Sequence, residues 1–172
     1  SEFAYDLGFL SVVIAVGVSM LCGLLIGLCH VYLKIPSFMA SFAFMYICKG
    51  IGMVSYQGHP PTIKDPVITA LPTTTFLGIP FITWVAIVMF LLCFFIQEYT
   101  AFGRHIYAVG TNENIPRSVG VSVEKVKIGV FTLAGFLFGV AGVIGAIRLG
   151  QGQIAIGDDK MFPAQAAVVV GG

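Results

Sequence analysis

The sequence predicts an all-α integral membrane protein, folded as a polytopic helical bundle with about four spans and a truncated further segment. Three observations predict this class: the composition, four long apolar runs, and the unequal charge of the linkers between them. Of the 172 residues, 58% are hydrophobic and 10% are charged, whereas a soluble domain carries roughly 25% charged residues. The net charge of +1 also excludes a strongly basic nucleic-acid binder.

Four apolar runs are long enough to form membrane-spanning helices. An α-helix rises 1.5 Å per residue and must cross a hydrocarbon core of roughly 30 Å. The predicted spans are Leu7–Leu33, Ile35–Val54, Phe76–Ile96 and Ile128–Ile147. The second run carries Lys49 near its end, from where a lysine side chain can reach the interface. A last apolar stretch is too short to span, and we expect it to be the start of a further segment.

The two long linkers differ in charge, and this difference predicts the orientation. Residues 55–75 contain four prolines, one lysine and one aspartate, which predicts an extended loop. The basic linker, Gln97–Lys127, contains four basic residues: Arg104, Arg117, Lys125 and Lys127. The positive-inside rule therefore places the basic linker in the cytoplasm. Alternating crossings then place Lys34 inside, and the N-terminus and Gly150–Lys160 outside.

The fourth run is rich in glycine at helical spacing. Gly135 and Gly139 form a GxxxG motif, and Gly142 with Ala146 continues the same small face. Small residues allow two helix backbones to approach closely in a membrane. We expect this face to pack within the chain rather than to form a homodimer.

The end of the basic linker predicts a short helix at Glu113–Val119. Asn112 or Asn114 can cap its start, and Gly120 suits the left-handed residue that follows a helix. Ser122 then caps the next span. A helix of this length is not stable alone, so neighbouring segments or a partner must hold it.

Two interpretations of this short helix follow from its residues. It is either part of a cytoplasmic loop whose basic residues only set topology, or a docking surface for a soluble partner. In the second case Ile115 and Val119 supply apolar contacts, and Glu113 and Arg117 flank them with charge.

The stretch TAFGRHIYAVGTNENIPRSVGVSVEKVK, at residues 100–127, resembles the cytoplasmic loop of bacterial ABC-importer permeases of the ribose/monosaccharide type. That loop is similar to T-x-F-G-R-x-I-Y-A-I-G-G-N-E-x-A-A-R-x-S-G-I. LKIPSFMASFAFMYICKGI, at residues 33–51, and IRLGQGQIAIGDDKMFPAQAAVVVGG, at residues 147–172, extend the resemblance. Two stretches depart from the family: Ile115-Pro116 replaces a usual Ala-Ala, and residues 162–165 replace an acidic run near the transport path.

The resemblance implies a partial transmembrane permease domain over residues 1–172, a multi-pass transport subunit of the bacterial inner membrane with no enzymatic activity of its own. It implies four partners: a second permease subunit in a homo- or heterodimer, cytoplasmic ATPase subunits, an external substrate-binding protein and the lipid membrane. The basic linker would be the ATPase-coupling loop. The residues that match its motif are Gly103, Arg104, Gly110, Asn112, Glu113, Arg117 and Gly120.

The solute implied is a monosaccharide or a similar small polar molecule, and two alternatives stay open. One is a branched-chain amino-acid ABC permease, which has a related loop. The other is an ion-coupled carrier or channel that works without an ATPase. Such carriers need ionisable groups within the bundle, and three of the four runs contain no Asp, Glu, Lys or Arg. The sequence also has no GxxxxGK[ST] phosphate loop, so energy would have to come from a partner.

The remaining polar residues give weaker signals. Gln151 and Gln153 can hydrogen-bond sugar hydroxyls, and Asp158 with Asp159 is either a polar outer loop or part of an external gate. No cofactor or metal is predicted, because the four cysteines lie within apolar runs and form no CxxC or Cys/His cluster.

Overall fold

The computed structural model describes residues 8–56, 75–76, 79–112, 114–154 and 157–171. This part of the chain is almost entirely helical. Its helices are α1 (Gly8–Tyr32), α2 (Ser37–Tyr56), α3 (Phe81–Tyr99), α4 (Ala101–Thr111), α5 (Asn114–Ser118), α6 (Val123–Leu149) and α7 (Asp158–Gly171). Two strands of two residues each, β1 (Thr75–Phe76) and β2 (Ile79–Pro80), form an antiparallel pair just before α3.

Four of the described helices are long and apolar enough to cross a membrane. The candidate spans are Leu10–Tyr32, Ser37–Ser55, Phe81–Tyr99 and Val123–Leu149. The shorter Met161–Gly171 is also apolar. The predicted class, a polytopic helical membrane protein, is confirmed.

Two helix starts differ from the predicted runs. The third span begins at Phe81 rather than Phe76, because the preceding apolar residues take part in the β1–β2 pair. The fourth begins at Val123 rather than Ile128, because charged residues interrupt an apolar run without interrupting a helix. Glu124 lies in the first turn of α6, where the helix dipole favours a negative charge.

The core of the described structure is the contact between α1 and α6, which pack along most of their lengths. Their backbones meet at glycines: a methyl group placed on Gly23 would lie 2.9 Å from the Cα of Gly135. One placed on Gly139 would lie 2.9 Å from the Cβ of Ser19. The Ser19 hydroxyl also donates a 2.8 Å hydrogen bond to the carbonyl of Gly135. The prediction that this face packs within the chain is confirmed for Gly135 and Gly139, but not for Gly142, where nothing lies within 4 Å of an added methyl group.

The turn between α1 and α2 places polar groups at one end of this pair. Nδ1 of His30 lies 2.8 Å from the carbonyl oxygen of Ile35, and the His30 ring lies 5.5 Å from that of Phe131 in α6. Lys34 has a φ of 54°, a left-handed conformation that is uncommon for a residue with a side chain. The α1–α2 turn is therefore fixed against α6.

Candidate functional site

The basic linker is mostly helical, in contrast to the loop that its polar composition predicts. The side chain of Thr100 ends α3 and begins α4: its Oγ1 donates to the carbonyl of Ile96 and accepts a 3.1 Å hydrogen bond from the amide of Gly103. Gly103 is buried, and a methyl group there would lie 2.1 Å from the carbonyl oxygen of Gln97. This motif glycine therefore permits the sharp turn between two helices.

Helix α4 runs back against the bundle. The ring of Phe102 covers Gly129 of α6, where an added methyl group would lie 2.8 Å from the ring. Asn112 is the C-cap of α4, and its amide donates to the carbonyl of Ala108. Asn112 therefore ends this helix. Arg104 and Gly110 are exposed on α4.

Helix α5 covers Asn114–Ser118 and is shorter than the predicted Glu113–Val119. Glu113 and the side chain of Ile115 lie outside the described residues. Pro116 is fully buried, and its carbonyl accepts hydrogen bonds from the amides of Val119 and Val121, at 3.2 and 2.9 Å. The chain reverses direction after α5, because both amides follow the helix and bind the same carbonyl group.

The reversal ends at Gly120, whose φ of +80° confirms the predicted left-handed residue. Ser122 is the N-cap residue of α6, as predicted, although its side chain makes no capping hydrogen bond. Val119 is 75% exposed. This reversal therefore presents an apolar side chain outward.

An ion pair between Arg117 and Glu124 joins α5 to the first turn of α6. The two side chains are 57% and 45% exposed. Sequence reasoning missed Glu124, although an acidic residue seven positions after the motif arginine was the available signal. Arg117 therefore has a partner within the chain, and the pair joins α5 to the first turn of α6.

A second charged contact lies at the other ends of the spans. Nζ of Lys49 in α2 lies 2.8 and 2.7 Å from the two carboxylate oxygens of Asp158, the first residue of α7. Close by, a methyl group on Gly52 would lie 3.5 Å from Cγ1 of Ile154. Lys49 was predicted only to reach the interface, so its pairing with a candidate gate residue is new.

The other residues of the candidate solute path lie on the segment between α6 and α7. Gln151 is half-buried and Gln153 is exposed, and the side chain of Asp159 lies outside the described residues. The structure brings Asp158 to Lys49 rather than to either glutamine. In the described ranges, no group of three or more His, Cys, Asp or Glu side chains is placed to hold a metal ion.

Comparison with known proteins matches residues 3–172 to the family described as branched-chain amino acid transport system / permease component. The chain is 37% identical over 139 residues to the probable ABC transporter permease protein YphD of Escherichia coli K12. The aligned residues make up 81% of this chain and 42% of that protein. It is 36% identical over 143 residues to the ribose import permease protein RbsC of Haemophilus influenzae, and this alignment covers 81% of this chain and 44% of that protein.

The xylose transport system permease protein XylH of Haemophilus influenzae is 41% identical over 95 residues, which are 55% of this chain and 25% of that protein. No solved structure matches the chain. The chain spans less than half the length of the curated relatives it matches.

Proposed function

Because the chain belongs to the family of branched-chain amino acid transport system permease components, we propose that it forms part of the membrane-spanning permease subunit of an ATP-driven importer. The proposed solute is a monosaccharide or a similar small polar molecule, and the proposed location is the bacterial plasma membrane. The observation that carries the proposal is the similarity, over 81% of the chain, to a protein named as a ribose import permease.

The proposed partners are cytoplasmic ATPase subunits, an external substrate-binding protein and a second permease subunit. The absence of Asp, Glu, Lys and Arg from residues 128–147 of α6 supports the proposal that the energy for transport comes from an ATPase partner. A bundle that couples to protons or sodium ions needs such groups. The ATPase is proposed to be a separate subunit, in agreement with the absence of a GxxxxGK[ST] phosphate loop from these 172 residues.

We place the contact with the ATPase at the reversal that includes α5 and Gly120. The exposed Val119 and the exposed Arg104 on α4 are the proposed contact residues. Buried Gly103 and Pro116 hold the backbone in place, and the Arg117–Glu124 pair joins the contact to α6. Gly110, Asn112, Glu113 and Ile115 complete the proposed coupling residues.

At the opposite end, Asp158 is the proposed member of the external gate, together with Lys49. Gln151, Gln153 and Asp159 are the proposed neighbours of the solute path. The ion pair supports this arrangement because it closes the segment after α6 against α2.

Reconstitution tests the proposal. The complete permease is placed in liposomes with its ATPase and its binding protein, and uptake of labelled ribose, xylose and leucine is measured. We expect sugar uptake that requires ATP and the binding protein. Uptake of leucine alone would favour the branched-chain amino-acid alternative, which the family description supports. Uptake driven by an ion gradient without the ATPase would contradict the proposal.

A further inference from the structure

A cleft of about 340 Å³ lies where the α1–α2 turn meets the beginning of α6. Four charged side chains line it, three basic and one acidic: Lys34, Arg117, Lys127 and Glu124. Val31 near the end of α1 and Ile35 in the α1–α2 turn supply the apolar wall of the cleft. With three basic side chains and one acidic one, the lining of the cleft carries more positive than negative charge.

The position of these lysines in the chain places the cleft at the membrane boundary. Lys127 is the last charged residue before the uncharged stretch 128–147 of α6. Lys34 lies in the turn between the first two spans, two residues after α1 ends at Tyr32. Lysines at the ends of spans hold their ammonium groups at the level of the lipid headgroups. The cleft therefore opens where a headgroup lies.

We propose that this cleft binds the phosphate of an anionic phospholipid in the adjoining leaflet. Lys34 and Lys127 bind the phosphate, and Val31 and Ile35 contact the glycerol and the first part of an acyl chain. Basic pockets between spanning helices are suited to anionic headgroups. The first turn of α6, which includes Val123 and Glu124, also borders the cleft, and its helix dipole favours an anion.

The backbone of Lys34 supports a site that is held in place. Its φ of 54° is left-handed, a conformation that is uncommon for a residue with a side chain. The hydrogen bond between His30 and the carbonyl of Ile35 closes the same turn. The turn thus keeps Lys34 beside α6 before any lipid arrives.

This inference concerns the lipid rather than the transported solute, and it does not depend on the proposed transport function. Its consequence is that a bound phosphate would lie beside the Arg117–Glu124 pair, since Arg117 and Glu124 line the same cleft. Lipid in the cleft would then stabilise the junction of α5 with α6.

The test measures lipid binding to the complete permease purified in detergent. Dioleoylphosphatidylglycerol is titrated, with dioleoylphosphatidylethanolamine as the neutral comparison, and the lipid-bound fraction is read by native mass spectrometry. We expect Lys34→Gln and Lys127→Gln each to weaken phosphatidylglycerol binding about fivefold, the factor that corresponds to about 1 kcal/mol per basic residue near an anionic surface. Binding of phosphatidylethanolamine should not change.

Lys125→Gln is the matched control, because Lys125 lies in the same turn of α6, is exposed and does not line the cleft. An equal loss in this variant would mean that general surface charge attracts the lipid, and the proposal would be wrong. Lys127→Arg keeps the charge and should keep the binding. If Lys127→Arg folds but loses it, the charge of the cleft is not the cause.

Two further arms separate the sources of phosphate and the classes of partner. Inorganic phosphate at millimolar concentration should not displace phosphatidylglycerol; if it does, the site takes a free anion and the lipid assignment is wrong. If Lys127→Gln loses binding to the ATPase subunit while phosphatidylglycerol binding is unchanged, the cleft is a protein contact instead.

Discussion

At the scale of single residues, Arg117 has two possible roles that one pair of substitutions can separate. Arg117→Glu would place a carboxylate beside Glu124 and should release α5 from α6. Adding Glu124→Arg restores an ion pair in which the two charges have exchanged positions. If the pair serves to hold α5, the double variant recovers the function that the single variant loses.

We expect Arg117→Glu in the complete permease to weaken ATPase binding, because the carboxylates at positions 117 and 124 would repel each other where the wild-type ion pair joins α5 to α6. The two side chains are 57% and 45% exposed, so the loss should be on the order of 1 kcal/mol, about fivefold in affinity. Arg117→Glu with Glu124→Arg should recover most of it. Val119→Asp should lower binding with the pair intact, because Val119 is 75% exposed at the reversal. The measurement is pull-down of the ATPase subunit, with correct insertion of each variant checked separately. If Arg117→Glu and Val119→Asp both bind the ATPase subunit as well as the wild type does, the basic linker sets the topology and does not contact the ATPase.

Lys49 and Asp158 allow a second residue-scale prediction. Their side chains are 28% and 51% exposed, so the pair should contribute roughly 0.2–1 kcal/mol to the stability of the closed arrangement. Lys49→Asp and Asp158→Lys should each lower the melting temperature in detergent, and the double exchange should restore it. Arg148→Gln, an exposed basic residue near the same end, is the control. Additive losses in the double exchange would contradict a direct interaction.

At the scale of the helices, the hydropathy of the sequence predicted the membrane spans, whereas local hydrogen bonds determine where the helices of the basic linker begin and end. Gly120 could be predicted because a left-handed residue after a short helix favours glycine. Helix α4 could not be recognised as a helix from its mixed composition, although Thr100 and Gly103 marked its start. The Lys49–Asp158 pair could not be predicted from the sequence either, because it joins two helices whose relative placement depends on tertiary packing.

The contact between α1 and α6 yields an element-scale prediction with a control on the same helix. Gly139→Leu would force the two backbones apart, because even one methyl group there lies 2.9 Å from Ser19. Overpacking of this kind costs roughly 1–3 kcal/mol. Gly142→Leu adds the same side chain where nothing lies within 4 Å. We expect a lower melting temperature in detergent for the first variant and little change for the second; equal effects would show that helix propensity, not packing, is responsible.

At the scale of the whole molecule, the two charged regions lie at opposite ends of the spans. The α1–α2 turn and the beginning of α6 share the basic cleft, whereas the end of α2 meets the beginning of α7 through Lys49 and Asp158. This arrangement fits the alternating crossings that the sequence predicts. Which end faces the cytoplasm stays a prediction from the charge of the basic linker.

Cysteine labelling measures that orientation. In the complete permease with every cysteine replaced by alanine, Cys22, Cys29, Cys48 and Cys93 among them, one exposed position is changed at each end: Lys125→Cys and Gln153→Cys. A membrane-impermeant maleimide added to intact cells should label Gln153→Cys at once, and should label Lys125→Cys only after the membrane is permeabilised.

The physical reason for this expectation is the concentration of lysine and arginine in the basic linker, which retains that segment on the cytoplasmic side. The cysteine-free parent should stay unlabelled in both conditions. The opposite pattern, with Lys125→Cys labelled in intact cells, would place α5 and Val119 outside. No cytoplasmic ATPase could then reach the reversal, and the proposed coupling contact would be wrong even if the spans are arranged as described.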